Sequence, residues 1–151
     1  MPFSISFLGA PLEYPFDDQS TPAAWGRIVL GDFVEDFLST LYSWTTSEYE
    51  AQWRSAIDTI LKGGDRSALI VEYLPADVGT HLRWWPMYRI HDAVFVQNHI
   101  LFYEQLERPF SIEHPEDFIK DRQTQSEDGV SVSEWSVLIA DLAAFAEAFA
   151  R

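Results

Sequence analysis

The chain has 151 residues and no cysteine, and 24 Asp and Glu face 10 Lys and Arg for a formal net charge of -14. The missing cysteine removes disulfides, thiolate metal sites and cysteine nucleophiles together and suits a reducing compartment. The charge excludes nucleic acid, whose phosphates call for Lys and Arg, while 47% hydrophobic and 15% aromatic residues exclude a disordered acidic segment and make 1–151 read as one domain.

In chain order, the first stretch, MPFSISFLGAPLEYPFDD, lacks a basic region and its apolar part is short, so no signal peptide is expected. No apolar run approaches the ~20 residues of a spanning helix, and a soluble cytoplasmic protein with no membrane partner is expected. Gly26 to Leu30 reads as a strand. Phe33 to Leu41 suits a helix through Phe33, Phe37 and Leu41, and a strand through the alternation of Val34, Asp36 and Leu38; strand is the preferred reading. A helix is predicted over 46–62, because Tyr49, Trp53, Ala56, Ile57, Ile60 and Leu61 share one face. Thr45 with Glu48, or Ser47 with Glu50, has capping-box spacing, and Gly63-Gly64 supplies the stop.

Strand-like sequence follows. Ser67 to Leu74 is aliphatic and aromatic and stops at Pro75. Arg83 to Ile90 and Ala93 to Tyr103 flank a turn at His91-Asp92, and Pro86 argues for an edge strand or a bulge. In the second of these, Val94, Val96, Ile100 and Phe102 are expected on one side, with Phe95, Gln97, His99, Leu101 and Tyr103 on the other. Glu107 to Val130 is polar and contains Pro109 and Pro115; it reads as a loop with a helical turn at Pro115 to Lys120. A second helix is predicted over 134–150 from Trp135, Leu138, Ile139, Leu142, Phe145, Ala146 and Phe149, with Ser131 or Ser133 as cap. The fold class is therefore α+β: an antiparallel sheet packed with at least two amphipathic helices.

Catalytic motifs are absent. The sequence has no Walker loop, Rossmann glycine pattern, HExxH or GxSxG. His91, Asp92 and His99 would hold a metal if a hairpin joined them; otherwise His91-Asp92 is a turn and His99 a sheet residue. Carboxylates are so abundant that a close pair carries no information. The acids run from Asp17 and Asp18 through Asp32, Glu35 and Asp36 to the polar loop, where Glu113, Glu116, Asp117, Asp121, Glu127 and Asp128 gather. An exposed loop is where binding residues collect. Trp84 and Trp85 are adjacent in a strand and must face opposite ways, so Trp84 is either a second core residue or an interface aromatic. Arg122, among acids, is a salt-bridge residue or a partner contact.

Three segments taken together, YSWTTSEYEAQW at Tyr42–Trp53, MYRIHDAVFVQNHILF at Met87–Phe102 and DRQTQSEDGVSVSEWSV at Asp121–Val137, resemble immunity proteins of bacterial contact-dependent growth inhibition systems. The resemblance implies a cytoplasmic, non-enzymatic binder of a toxin's C-terminal domain, often a nuclease, with no cofactor, metal or catalytic residue. It carries no site residue across position by position. From the residues themselves, the expected partner-binding set is Glu113, Glu116, Asp117, Asp121, Glu127, Asp128 and Trp84. An acidic surface covering the toxin's basic substrate cleft is the expected mode. The alternatives are a small metal-dependent hydrolase using His91, Asp92 and His99, or an acidic adaptor domain. Homo-oligomerisation stays open.

Overall fold

The computed structural model describes residues 2–16 and 19–149; Asp17, Asp18 and the last residue of the predicted second helix, Ala150, lie outside them. Two antiparallel sheets and two helices form the α+β architecture. The first sheet contains β1 (Phe3–Phe7), β2 (Leu12–Phe16), β3 (Gln19–Leu30) and β4 (Phe33–Thr40). The long β3 carries β1 and β2 end to end along one side and β4 along the other. Gly26 in β3 faces Phe37, and a Cβ there would sit 2.3 Å from the ring, so only glycine lets the ring lie flat over the strand.

A helix follows, α1 (Thr46–Leu61), in the predicted place. Of the two capping boxes, Thr45 with Glu48 is the one used: the Thr45 side chain accepts from the Glu48 N–H, and the Glu48 carboxylate accepts from the Thr45 N–H. Gly63 turns the chain at φ 101, a left-handed conformation that favours glycine.

The second sheet is β5 (Arg66–Glu72), β6 (His81–Ile90), β7 (Ala93–Gln97), β8 (His99–Phe102) and β9 (Glu134–Leu138). β6 is central, flanked by β5 on one side and by β7 and β8 in line on the other, with β9 outside β7. Pro86 thus lies in a middle strand and not at an edge. It has no N–H to give, and the line of partners opposite it breaks between Gln97 and His99. No bulge lies at Pro86, which pairs in register with Ala68; the register shift of this strand pair is in β5, between Ile70 and Glu72 opposite Trp84 and Arg83.

The alternation predicted over Ala93–Tyr103 holds only in part. Val94 and Val96 are buried, but Ile100 and Phe102 on the same side are exposed, and Leu101 on the other side is buried. The strand line runs out from under one cover and under another. Trp135, opposite Val96, is covered by Phe33 of the first sheet, and Leu101 lies by Leu106 and Phe118 of the following loop.

The larger correction concerns the C-terminal segment. The helix predicted over 134–150 is a strand followed by a helix, β9 and then α2 (Ile139–Phe149). Val94 pairs with Val137 and Val96 with Trp135, and Val137 is buried while Leu138 is 48% exposed, against the helical pattern. The cap is neither Ser131 nor Ser133. Asp141 accepts the Leu138 N–H at 3.0 Å and starts the helix there.

One core cluster joins both sheets and both helices. Phe33 of β4 stacks on Trp135 of β9 with ring centroids 4.0 Å apart, and Trp85 lies beside them. Trp53 of α1 contacts Phe7 and Phe37 of the first sheet. Side chains also close the free edge of β5. Gln52 donates to the Ala68 carbonyl and accepts from the Ile70 N–H, Trp53 Nε1 donates to the Ile70 carbonyl, and Ser39 donates to the Val71 carbonyl. The edge of a sheet is otherwise a template for pairing with another chain. Among the described residues, no helix is long and apolar enough to cross a membrane.

Candidate functional site

The polar segment between β8 and β9 is a long loop fastened at several points. A 3-10 turn at Pro115–Phe118 stands where a helical turn was expected. Phe118 and Ile119 are buried, and Phe110 meets Trp84, Tyr103 and Phe118. Tyr88 donates its hydroxyl to the Lys120 carbonyl at 2.8 Å, and Arg66 donates to the Ile119 carbonyl and to Asp121, each at 3.1 Å. Arg122 makes a two-toothed contact with Glu134 at 2.8 and 2.6 Å, and its guanidinium lies 4.2 Å over the Phe95 ring. Gln97 completes the node. Its amide nitrogen donates to Glu134 and to the Gln123 carbonyl, and its oxygen meets His99 Nε2 at 2.6 Å. Arg122 therefore forms the salt bridge that the sequence allowed for it.

The expected binding acids fall into separate places on this loop. Glu113 and Glu116 border a groove of about 420 Å³ against α1, together with Glu48. Glu113 and Asp117 are exposed, Glu116 is half-buried and His114 lies 3.6 Å from it. Asp121 is exposed and paired with Arg66. Glu127 and Asp128 stand at the tip of a small hairpin closed by a bridge between Gln125 and Ser131, with Gly129 at φ 78 making the turn. Seven Asp and Glu face three Lys and Arg over 107–130, so the loop is anionic by four charges. Residues 1–60 are more so, with nine Asp and Glu against Arg27 and Arg54.

Trp84 does not join these acids at the surface. It is 3% exposed, because the loop covers its face of the sheet through Phe110 while Trp85 fills the other face against Phe33. The exposed tryptophan is Trp25 on β3, at 43%. The hairpin also fails to unite His91, Asp92 and His99. His91, at φ 58, and Asp92 form the turn between β6 and β7, while His99 lies farther along the same strand line, about 25 Å away at ~3.3 Å per residue. Among the described residues, no three His, Asp or Glu side chains are grouped to hold a metal ion.

The fastening node has an electrostatic signature. Burial alone would raise the Glu134 pKa, but the hydrogen bonds from Arg122 and Gln97 and the Arg122 charge outweigh it and hold the carboxyl below its ordinary 4.5. Burial, helped by Lys120, pushes His99 below its ordinary 6.5. Both shifts favour the folded state at neutral pH. The His99 share is present above 6.5 and is lost as pH falls from there towards its folded value. The Glu134 share is lost lower, as pH drops below 4.5 and through the folded value. Thermal unfolding is therefore expected to show a first loss of stability just below pH 6.5 that His99→Gln removes. An unchanged acid profile in that variant would contradict the assignment.

Comparison with known proteins gives a consistent result. The model of the CdiI N-terminal domain matches residues 39–145. The immunity protein CdiI of Enterobacter cloacae subsp. cloacae is 31% identical over 108 residues, which cover 72% of this chain and 74% of that protein. A chain in the solved CdiA-CT/CdiI toxin and immunity complex from Enterobacter cloacae superposes with a TM-score of 0.86 at 26% identity, over 98% of each chain.

Proposed function

The chain belongs to the CdiI N-terminal domain family of immunity proteins, and from that premise we propose that it binds and neutralises the C-terminal toxin domain of a CdiA-type protein. The carrying observation is the likeness of the whole chain to one found in a toxin and immunity complex. Binding, not turnover, is the activity, and the chain works as one domain in the cytoplasm, where a delivered toxin would act.

The finer reading is that the toxin is a nuclease and that this chain screens its basic cleft. A nuclease must present positive charge to nucleic acid. A domain of net charge -14 is drawn to such a surface and competes with phosphate for it. The exposed acids Glu113, Asp117, Glu127 and Asp128, with the half-buried Glu116 and the Arg66-paired Asp121, act in this reading as the steering charge on the fastened loop.

The test is co-expression with the C-terminal domain of a CdiA-type protein from the same genome, then purification and kinetics. A stable complex and loss of toxicity are expected. Association should slow steeply as salt rises, since exposed charges are screened beyond about 8 Å at physiological ionic strength, while dissociation changes little. Asp117→Lys with Glu127→Lys should slow association with the fold intact. Neither residue anchors the loop, whereas reversal at Asp121 would also break its contact with Arg66. A toxin domain that cleaves neither RNA nor DNA would overturn the nuclease reading and leave the binding reading standing.

A further inference from the structure

A cleft of about 820 Å³ opens where β4, an edge strand of the first sheet, passes β5 and β6 of the second. Its apolar wall is Trp25, Leu38, Tyr42 and Val78. Trp25 is 43% exposed, Tyr42 62% and Val78 45%, so three large side chains that could be covered are left open around one concavity. Trp and Tyr in such a setting are the residue types that dominate binding energy at interfaces.

Acids mark the same cleft. Asp36 is held by Arg27 at 2.6 Å, and Glu72 lies 3.4 Å from Arg83 and 3.8 Å from His81. Glu35 differs. Among the described residues its carboxylate accepts from a neutral partner, the Asn98 amide at 3.3 Å. It is half-buried and forms no ion pair among those residues, while Arg83, which also lines the cleft, is turned to Glu72. Thr40 Oγ1, on the cleft wall, is buried and has no hydrogen-bond partner among the described residues.

We propose that this cleft, and not the acidic loop, is the anchor of the toxin complex: it receives a basic segment of the toxin domain that passes over the edge of β4, with side-chain stems lying on Trp25 and Tyr42 on one face and an arginine or lysine charge meeting Glu35 on the other. The inference rests on the toxin-binding reading above and divides the work. The loop acids steer approach, and the cleft sets how long the complex lasts. Long basic side chains suit a site that is apolar on one face and anionic on the other. A second copy of this chain does not, because two molecules of net charge -14 meeting through acid-lined clefts repel.

The experiment measures dissociation of the purified CdiA-type toxin domain from the wild-type chain and from Trp25→Ala, Tyr42→Ala, Glu35→Gln and Val78→Arg. Each substitution should raise the dissociation rate by about tenfold or more, with association changed by less than about twofold. Asp117→Lys with Glu127→Lys should do the reverse. All four cleft side chains are exposed or half-buried, and Val78→Arg obstructs the cleft without touching the core, so thermal stability should be retained. A wild-type complex whose dissociation is unchanged in all four variants overturns this inference and leaves the toxin-binding reading intact. No wild-type complex overturns both. A wild-type dimer in sedimentation that Val78→Arg converts to monomer assigns the cleft to a second copy and overturns the inference as well.

Discussion

Replacing Trp53 with alanine is expected to cost about 3–5 kcal/mol, the upper range for large-to-small core changes, and to lower Tm by about 10–15 °C. The side chain is fully buried and lies where three elements meet. Its ring contacts Phe7 and Phe37 of the first sheet, and its indole N–H donates to the Ile70 carbonyl of β5 at 2.7 Å. Alanine leaves a cavity between α1 and the first sheet and also strips that carbonyl of its partner, a further loss of about 1 kcal/mol. Trp53→Phe separates the two effects, because it keeps most of the volume and removes only the donor. Chemical denaturation of both variants checks the claim. Wild-type stability in Trp53→Ala would mean that α1 does not seat on the sheets as described.

Glu134→Ala is expected to cost about 2–3 kcal/mol and to loosen the loop as well. The Glu134 side chain is 15% exposed and that of Arg122 28%, so the pair is only partly in water. Removing the carboxylate leaves the Arg122 guanidinium over Phe95 without its counter-charge and the Gln97 amide short of one acceptor. A surface pair would contribute far less. Hydrogen exchange should show faster opening across 119–125 than in the wild type, while the amides of α1 change only through the global loss. Arg122→Ala should reproduce most of the effect, and the double variant should be much less costly than the sum of the two. Additive costs would place the residues in independent environments.

The sequence was most readable where one residue pattern had one interpretation. Over α1, the apolar spacing, the Thr45–Glu48 box and Gly63 all agreed, and the helix forms where they said. Phe33–Leu41 fitted two periods, and the strand reading prevailed because β3 was there to pair with it. The C-terminal segment misled because Trp135, Leu138 and Ile139 fit a helical stripe, while the pairing of β9 with β7 decided the backbone. β1 was missed although Phe3, Ser4, Ile5, Ser6 and Phe7 alternate cleanly. The alternation is a strand signal, but five residues are short enough to pass for an apolar start alone. β2 and most of β3 were harder to see because Pro15, Pro22 and Gly26 interrupt them. Among site residues, the acids were visible as composition, but their separation along the loop was not. Trp84 stayed open between core and interface because adjacency fixes opposite faces and says nothing about what covers each face; the loop covers this one. The cleft had no sequence signal, since Trp25, Glu35, Tyr42, Glu72 and Val78 meet only when one sheet passes the other.

The hairpin tip between Gln125 and Ser131 has a consequence for divergence. It is closed by its own bridge, by a Ser126 N–H to Val130 carbonyl bond of 2.8 Å and by a Gly129 N–H to Ser126 carbonyl bond of 3.0 Å, and every residue within it is exposed. Its geometry depends on local bonds, while the fastening of the loop depends on Tyr88, Arg66, Gln97 and Glu134. Selection can therefore rewrite Glu127, Asp128 and Val130 from strain to strain at little cost in stability, provided that the glycine turn remains. The tip is thus a segment that can be exchanged without refolding anything else.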